Sequence, residues 1–449
     1  MTVREYGAEN GMDRIWRAIV AAAPSANGEF SALDGGREQR SWVGLEADCV
    51  VESDSLSDLA EIDASWRSEP EKIWIGWLSY DLGGAALRGE TPLPGRFPGL
   101  CMRRYSRGLE IDPGGGRISG RVHGGAKGSA SEVLDEAAVL RFLGDAGVRR
   151  AARSDWPLTS LVAGLTPEDY RAKVQTARRL ITAGESYQVN LSQGFHASWC
   201  ANVSAPDLGV ELAERAAQIY GTVREACPAD MGALMRVSEG AWFLSNSPET
   251  LIDVRRDRMG ERLNDVARSW PIKGTRPRRE DPRADQAEQN ALVNSEKDHA
   301  EHVMIVDLVR NDLGRLAQPG SVKAPKVPSL VSLPTVHHLI SEVSCRLRPG
   351  WTLLEIVEAM FPGGSITGAP KRRTTEIIRE LEGQPREIYC GAMILLEPGG
   401  FRVNIPIRTA ILDREGLSLR SGGGVVIDSD PEAERLETLA KARAFNPKY

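Results

Sequence analysis

The sequence predicts an α+β fold built on large antiparallel sheets. Three observations lead there. Strand-like blocks, either apolar or alternating with period two, gather at 73–80, 187–192, 231–244 and 389–427. Helical patterns stand between these blocks. The two kinds of segment never settle into the regular strand–helix–strand rhythm that a parallel sheet needs.

The composition fits such a protein and excludes other classes. The chain has 449 residues, of which 41% are hydrophobic and 26% charged, as in ordinary globular proteins. A net charge of −6 gives no electrostatic case for nucleic-acid binding. No apolar run reaches the ~18 residues that a membrane span needs, and residues 1–6 hold no apolar signal core. The six cysteines, Cys49, Cys101, Cys200, Cys227, Cys345 and Cys390, show neither CxxC pairs nor histidines at zinc spacing. They read as free thiols in a reducing cytoplasm.

Two regions are expected. Residues 1–150 form an N-terminal sheet-forming region integrated with the core, and residues 151–449 carry the chemistry. In the first, 73–80 reads as a buried strand ended by Asp81-Leu82-Gly83-Gly84. Residues 113–131 are glycine-rich and aperiodic, so they read as a linker. A helix over 132–143 follows, then an irregular connection over 151–165.

The second region opens with a well-marked helix. Thr166 suits an N-cap, Pro167 the first helical position, and Gly184 the stop. Tyr170, Val174, Ala177 and Ile181 repeat at helical spacing. Residues 187–192 then alternate as a strand does, so Gln188 points away from Val189; alone it reads as a sheet-surface glutamine. Strands are expected at 231–237 and 242–244. Glu249 follows them after Pro248, where loops present functional side chains. Exposed charged loops are expected at 256–265 and 277–287.

Between those loops lies Trp270-Pro271-Ile272-Lys273-Gly274-Thr275-Arg276-Pro277-Arg278. Lys273 sits between two prolines that restrain the backbone, and Gly274 leaves room for a ligand beside the amine. A solvated basic turn is the competing reading. One long helix is expected over 287–313, with Asp298 and Glu301 on one face. His337 and His338 fall in a strand, so one faces each side. Residues 361–371 form a Gly/Ser/Thr-rich loop, containing Ser365 and Thr367, that opens onto a helix running to 382. That pattern admits an anion cradle without being a P-loop.

The C-terminal part reads as strands at 389–396, 402–412 and 417–420, with Tyr389 at the head of the first and Gly422-Gly423-Gly424 after the last. Arg408 interrupts an apolar strand and needs a partner there. The final helix starts at Asp430-Pro431. On it Glu434, Glu437 and Lys441 share a face beside an apolar stripe of Ala433, Leu436 and Ala440.

Taken together these features describe one chemistry. Two helices each offer an acid pair, Asp298/Glu301 and Glu434/Glu437. Four carboxylates without cysteine or paired histidines suit Mg²⁺. Arg408, Lys441 and the glycine-rich loops suit carboxylates on a small anionic ligand.

The motifs resemble those of the chorismate-utilising enzymes, and within them the aminodeoxychorismate synthase component I branch. The resemblance is carried by residues 271–278, 184–191, 247–249, 298–315, 361–371, 407–410 and 434–441, with 76–83 as a thinner N-terminal match. It implies two sheets packed as a sandwich with helices outside and the active site in a cleft. Glu301 and Glu437 would ligate Mg²⁺ directly, with Asp298 and Glu434 acting through waters or as alternates. Tyr389, Arg408, Gly422, Gly424, Lys441, Gly274 and Thr275 would hold chorismate. Glu249 would be the general acid on the departing 4-hydroxyl, and His338 matches a histidine lining the family's site.

Two positions separate the branches. Isochorismate and salicylate synthases carry a lysine where Gln188 stands, so direct hydroxylation is disfavoured. Anthranilate synthases usually have alanine where Lys273 stands. In the aminodeoxychorismate branch the lysine is the implied nucleophile, and the product is 4-amino-4-deoxychorismate, on the way to 4-aminobenzoate and folate. Ammonia is expected from a glutamine amidotransferase partner, because the chain holds no glutaminase motif, and no fused lyase is expected after the last helix. Residues 31–36 depart from the family's serine-bearing tryptophan motif, so tryptophan binding is not carried over. The nucleophile must be neutral, whereas a free lysine has a pKa of about 10.4. Desolvation and nearby arginines would lower that value, and the acids would raise it.

Overall fold

The computed structural model describes residues 40–112, 119–123, 156–201, 209–227, 231–256, 265–333 and 336–445, with shorter stretches at 16, 18–20, 22–23, 29–35, 133–135, 137–139 and 229. The strands in chain order begin with β1 (Ser31–Leu33), β2 (Ser41–Ser53), β3 (Ile73–Leu78), β4 (Leu100–Asp112), β5 (Ser119–His123), β6 (Val133–Asp135) and β7 (Val162–Ala163). They continue with β8 (Gln188–Ser198), β9 (Met231–Ser238), β10 (Ala241–Ser247), β11 (Thr250–Arg255), β12 (Val266–Ser269), β13 (Ile272–Pro277), β14 (Ser329–Ser332) and β15 (Val336–Ile340). The last are β16 (Val343–Arg346), β17 (Gly368–Ala369), β18 (Ala392–Glu397), β19 (Gly400–Asn404), β20 (Thr409–Asp413) and β21 (Gly416–Val425). The helices are α1 (Leu59–Ser68), α2 (Tyr80–Arg88), α3 (Pro167–Thr182), α4 (Val210–Ala226), α5 (Pro282–Val293), α6 (Glu296–Gly314), α7 (Leu353–Met360), α8 (Lys371–Glu382) and α9 (Pro431–Ala442).

Every described strand pairing is antiparallel. One series runs β16-β12-β11-β19-β18-β3-β4-β2-β1-β9-β10-β20-β21-β8. The strands β13, β15 and β14 form a separate small sheet. The long partners β2 and β4 shift register between Gly44 and Cys49, which bends and twists the sheet at its middle. Its two arms then face each other.

Alternation along β3 shows how the layers are made. Ile73, Ile75 and Trp77 point into the space between the arms, where they meet Phe243, Met235, Met393 and Ile411. Trp77 and Phe243 meet edge to face with centroids 5.2 Å apart. Trp74 and Leu78, on the opposite face, pack outward with residues of α1, α3, α6, α7 and α8. The other arm is covered by α4, through Leu212, Ala216 and Tyr220. This is the expected sandwich with helices outside. Burying each large apolar side chain in it contributes roughly 1.5–3 kcal/mol.

Several expected elements are redrawn. Residues 81–84 do not end a strand; Ser79 caps α2 by accepting from the Leu82 amide, and they lie inside that helix. Where a helix was expected over 132–143, Val133–Asp135 is a strand paired to β5, with 137–139 helical and the remainder outside the described residues. The linker at 113–131 also lies largely outside them, as does most of the loop at 256–265. The single helix over 287–313 is two, α5 and α6, because Asp281 and Ser295 each supply an N-cap. Part of the loop expected at 277–287 is therefore the first turn of α5.

The strand expected over 402–412 breaks at Ile405-Pro406-Ile407, since proline cannot donate to a ladder. Tyr389 precedes β18 instead of belonging to it, and β21 runs through its glycines to Val425. The apolar stripe on α9 is turned out: Ala433, Leu436 and Ala440 are exposed, and Thr438 and Ala442 are buried. Thr438 is drawn inward by the Gln193 amide, which donates to its hydroxyl at 2.7 Å. Among the described residues no helix is long and apolar enough to cross a membrane. All six cysteines are free.

Candidate active site

The small sheet carries the lysine motif. Register between β13 and β15 shifts between Lys273 and Thr275, leaving Gly274 as the extra residue at φ +69°. A Cβ on Gly274 would lie 2.7 Å from Leu292 Cδ1 and 3.4 Å from Asp298 Cβ, so only glycine fits the backbone here. Lys273 is partly accessible along its chain, yet protein surrounds its amine. Burial lowers its pKa; the charges of Glu301, Glu249 and Glu437 oppose this, and that of Lys441 assists. Desolvation thus outweighs the acids, and the amine is easier to neutralise than a free lysine.

The two histidines of β15 part to opposite faces. His337 bonds Ser332 Oγ at 2.7 Å and Asp285 at 3.0 Å. Those contacts hold Asp285, whose pKa is well below the usual range because the Arg279 amide donates to it. His338 turns towards the Gly274–Thr275 part of the motif. Its Nδ1 lies 3.0 Å from the Gly274 carbonyl and 3.1 Å from Thr275 Oγ1. A carbonyl only accepts, so Nδ1 carries the proton and Nε2 is left as the acceptor of the neutral ring. Burial lowers the pKa of His338, and the Arg408 charge acts in the same direction.

Glu249 sits between β10 and β11, almost wholly buried. Ser365 Oγ donates to its Oε1 at 2.5 Å. Burial raises its pKa, against the Ser365 hydrogen bond and the charges of Lys273 and Lys441. A carboxyl whose pKa is raised, in the field of an amine whose pKa is lowered, has the chemistry that proton donation and nucleophilic attack require.

The glycine run of β21 lines the opposite wall. A Cβ on Gly424 would lie 2.9 Å from the Gln188 amide carbon, and one on Gly423 would lie 2.9 Å from Glu434 Oε2. Both polar atoms of the fully buried Gln188 amide lack a partner among the described residues. Lys441 Nζ donates to the Gly422 carbonyl at 3.0 Å and pairs with Glu437 at 2.6 Å. Tyr389 is buried, with the Arg386 guanidinium 5.7 Å from its ring centre. Arg408 is not a strand residue. It holds φ +48° between β19 and β20, and its Nη1 donates to Cys227 Sγ at 3.8 Å. A strained arginine whose guanidinium donates to a thiol, a weak acceptor, is suited to an incoming carboxylate.

The acids are less uniform than their spacing implied. Asp298 is held by Arg276 Nη2 at 2.8 Å, on the Gly274 side. Glu301 meets Lys297 only at 3.9 Å. Glu434 accepts from Ser429 at 2.7 Å through Oε1, whereas its buried Oε2 has no partner among the described residues. Burial raises the pKa of Glu434, and the Glu437 charge adds to that. No three acidic, histidine or cysteine side chains converge as a ready metal cage among the described residues. An orphaned carboxylate oxygen beside a second carboxylate nevertheless fits a hard cation that keeps waters.

Ser365 and Thr367, the residues expected in an anion cradle, have different surroundings. Ser365 Oγ donates to Glu249, and Thr367 is fully buried with no hydrogen-bond partner for its Oγ1 among the described residues. Residues unremarked in the sequence support the floor. Glu382 binds Arg386 at 2.6 Å and Arg420 at 2.9 Å, and Arg386 donates to the Asn190 and Ile366 carbonyls. The only sequence signal for this network was the i,i+4 spacing of Glu382 and Arg386 across the helix stop at Gly383.

Comparison with known proteins bears on this arrangement. Residues 13–447 match the family described as chorismate binding enzyme. The chain is 40% identical to aminodeoxychorismate synthase component 1 of Salmonella typhimurium over 302 residues, 67% of this chain and 62% of that protein. It is 40% identical to the protein of the same name from Klebsiella aerogenes over 374 residues, 82% of this chain and 75% of that one. Anthranilate synthase component I from Streptococcus pneumoniae TIGR4 shares the fold at a TM-score of 0.70 and 24% identity, over 91% of this chain and 92% of that one.

Proposed function

Since the chain belongs to the chorismate binding enzyme family, we propose that it aminates chorismate to 4-amino-4-deoxychorismate, with Lys273 as covalent nucleophile and Glu249 as general acid. The observation that carries this reading is the Lys273 amine, which burial makes easier to neutralise, in one electrostatic neighbourhood with a Glu249 carboxyl whose pKa burial raises. Neutral Nζ adds at C2 as both ring double bonds shift towards C4. The C4–O bond breaks, and Glu249 gives its proton to the departing oxygen, which leaves as water. Ammonia then adds at C4, both double bonds shift back, the C2–N bond breaks with its electron pair returning to Nζ, and the Glu249 carboxylate takes up the proton released by the new C4 ammonium. Nucleophile and acid thus return to their starting states.

The remaining residues orient the substrate. Arg408 offers its guanidinium to a carboxylate, and Lys441 and the glycines Gly422 and Gly424 bring backbone close to the ring. Gln188 meets the ring side with an amide, which cannot act as a base on water. His338, neutral with Nε2 free to accept, faces the same cleft. Glu301, Glu437 and Glu434 would hold Mg²⁺, which would supply positive charge for a substrate carboxylate when bound. Asp298, paired with Arg276, would act only through water. The ammonia would come from a glutamine amidotransferase partner in the cytoplasm.

The test is incubation with chorismate, Mg²⁺ and ammonium, with the product identified. Aminodeoxychorismate is expected. Anthranilate would overturn the reading, and absence of turnover with fully folded protein would assign the chain to binding instead of catalysis.

A further inference from the structure

We propose that Lys371 is a positioning residue for the acid step, a staple that closes the base of the loop presenting Ser365 to Glu249. The loop, residues 361–370, leaves α7 at Met360 and enters α8 at Lys371. Lys371 Nζ donates to the Met360 carbonyl at 3.1 Å and to Asp312 Oδ2 at 2.6 Å. One ammonium therefore joins the residue before the loop, the residue after it and the C-terminal end of α6. The pair is nearly enclosed, with side-chain exposures of 13% and 7%.

The middle of the loop lies flat on its supports. A Cβ on Gly363 would come 2.9 Å from Ile405 Cδ1, and one on Gly364 would come 3.1 Å from Leu308 Cδ1. Between staple and supports, Ser365 Oγ is delivered to Glu249 Oε1 at 2.5 Å. The charged and titratable groups facing Glu249 are Lys273 from β13, Lys441 from α9 and the Cys390 thiol. Those facing Lys371 are Asp312 and Arg315. Lys371 thus has two of its donors engaged by protein. It acts through Ser365.

This inference rests on Glu249 being the acid, and the experiment separates the two. The pH profile of kcat/KM and the KM for chorismate are measured for Ser365→Ala, Lys371→Met and Asp312→Leu. Removing the Ser365 hydrogen bond destabilises ionised Glu249, so the limb carried by Glu249 moves to higher pH. Both staple variants are expected to move the same limb upward and to lower kcat about 10–100-fold, the worth of one hydrogen bond to a charged group, with KM little changed. Lys371→Met removes a cation and Asp312→Leu an anion, so a purely electrostatic effect would move the limb in opposite directions. Opposite shifts, or a fall in kcat with neither limb moved, would overturn the staple. A raised KM with an unmoved limb would make Lys371 a substrate ligand. No shift even in Ser365→Ala would instead refute Glu249 as the acid. If Lys371→Met does not fold, Asp312→Leu decides alone, since its Coulombic and positioning effects differ in sign.

Discussion

Glu249 and Ser365 lie 116 positions apart in sequence and 2.5 Å apart in space, on the junction of β10 with β11 and on the loop before α8. The carboxyl is almost buried and its acidity is weakened by that burial. In the proposed mechanism it is the acid that holds the proton for the leaving group. Replacing Glu249 by Gln keeps the shape and removes the proton. A loss of about 10²–10⁴-fold in kcat is expected, the usual worth of a general acid. Steady-state rates with chorismate and ammonium check this, and a loss under tenfold would remove Glu249 from the role.

The pH dependence follows from the opposed shifts of Lys273 and Glu249. The proposed mechanism needs the amine neutral and the carboxyl protonated. Lys273 reaches neutrality below the ordinary lysine range as pH rises, and Glu249 loses its proton above the ordinary glutamate range. The profile of kcat/KM is therefore bell-shaped, with limbs that belong to the coupled pair. Lys441 pushes both values down. Lys441→Met should move both limbs to higher pH, and limbs that moved apart would contradict this electrostatic account.

Much of this was legible in the sequence, for physical reasons that differ by element. The buried strands could be read because segments such as β3 are apolar on both faces, and α3 because its cap, proline and stop are all local signals, whereas the sandwich was implied by the family resemblance alone. The break between α5 and α6 was missed, although Ser295 with Asp298 three residues on is itself a capping pattern. On α9 the helical period was right and the phase wrong. Small apolar residues on a short helix do not identify its buried face; the Gln193 contact to Thr438 does. The acid pairs could be seen as spacings, but not that Arg276 would hold Asp298. The Glu382–Arg386–Arg420 network and the Lys371 staple depend on distant chain segments meeting, which no local pattern encodes.

That network makes a stability prediction. Glu382 and Arg386 are each 1% exposed and bond at 2.6 Å. Removing one member leaves a buried charge, so Arg386→Met should lower stability by about 3–5 kcal/mol. Urea unfolding monitored by circular dichroism checks the size. The Glu382→Leu/Arg386→Met double variant should recover part of the loss, although Arg420 then remains without its carboxylate.

The metal proposal turns on Glu434. Its Oε2 is buried and lacks a partner among the described residues, while Glu437 lies close enough to raise its pKa. Two neighbouring carboxylates repel unless a cation lies near both, and Lys441 already pairs with one of them. If Mg²⁺ is that cation, Glu434→Gln should weaken its binding by about 10–100-fold, the range found when a supporting carboxylate is removed from a metal site. Titration calorimetry of Mg²⁺ into the protein measures this without turnover. The same variant should be more stable than the parent in chelator, because the uncompensated repulsion is gone. Equal Mg²⁺ affinity in the two proteins would take Glu434 out of the site and leave Glu301 and Glu437 to be tested in the same way.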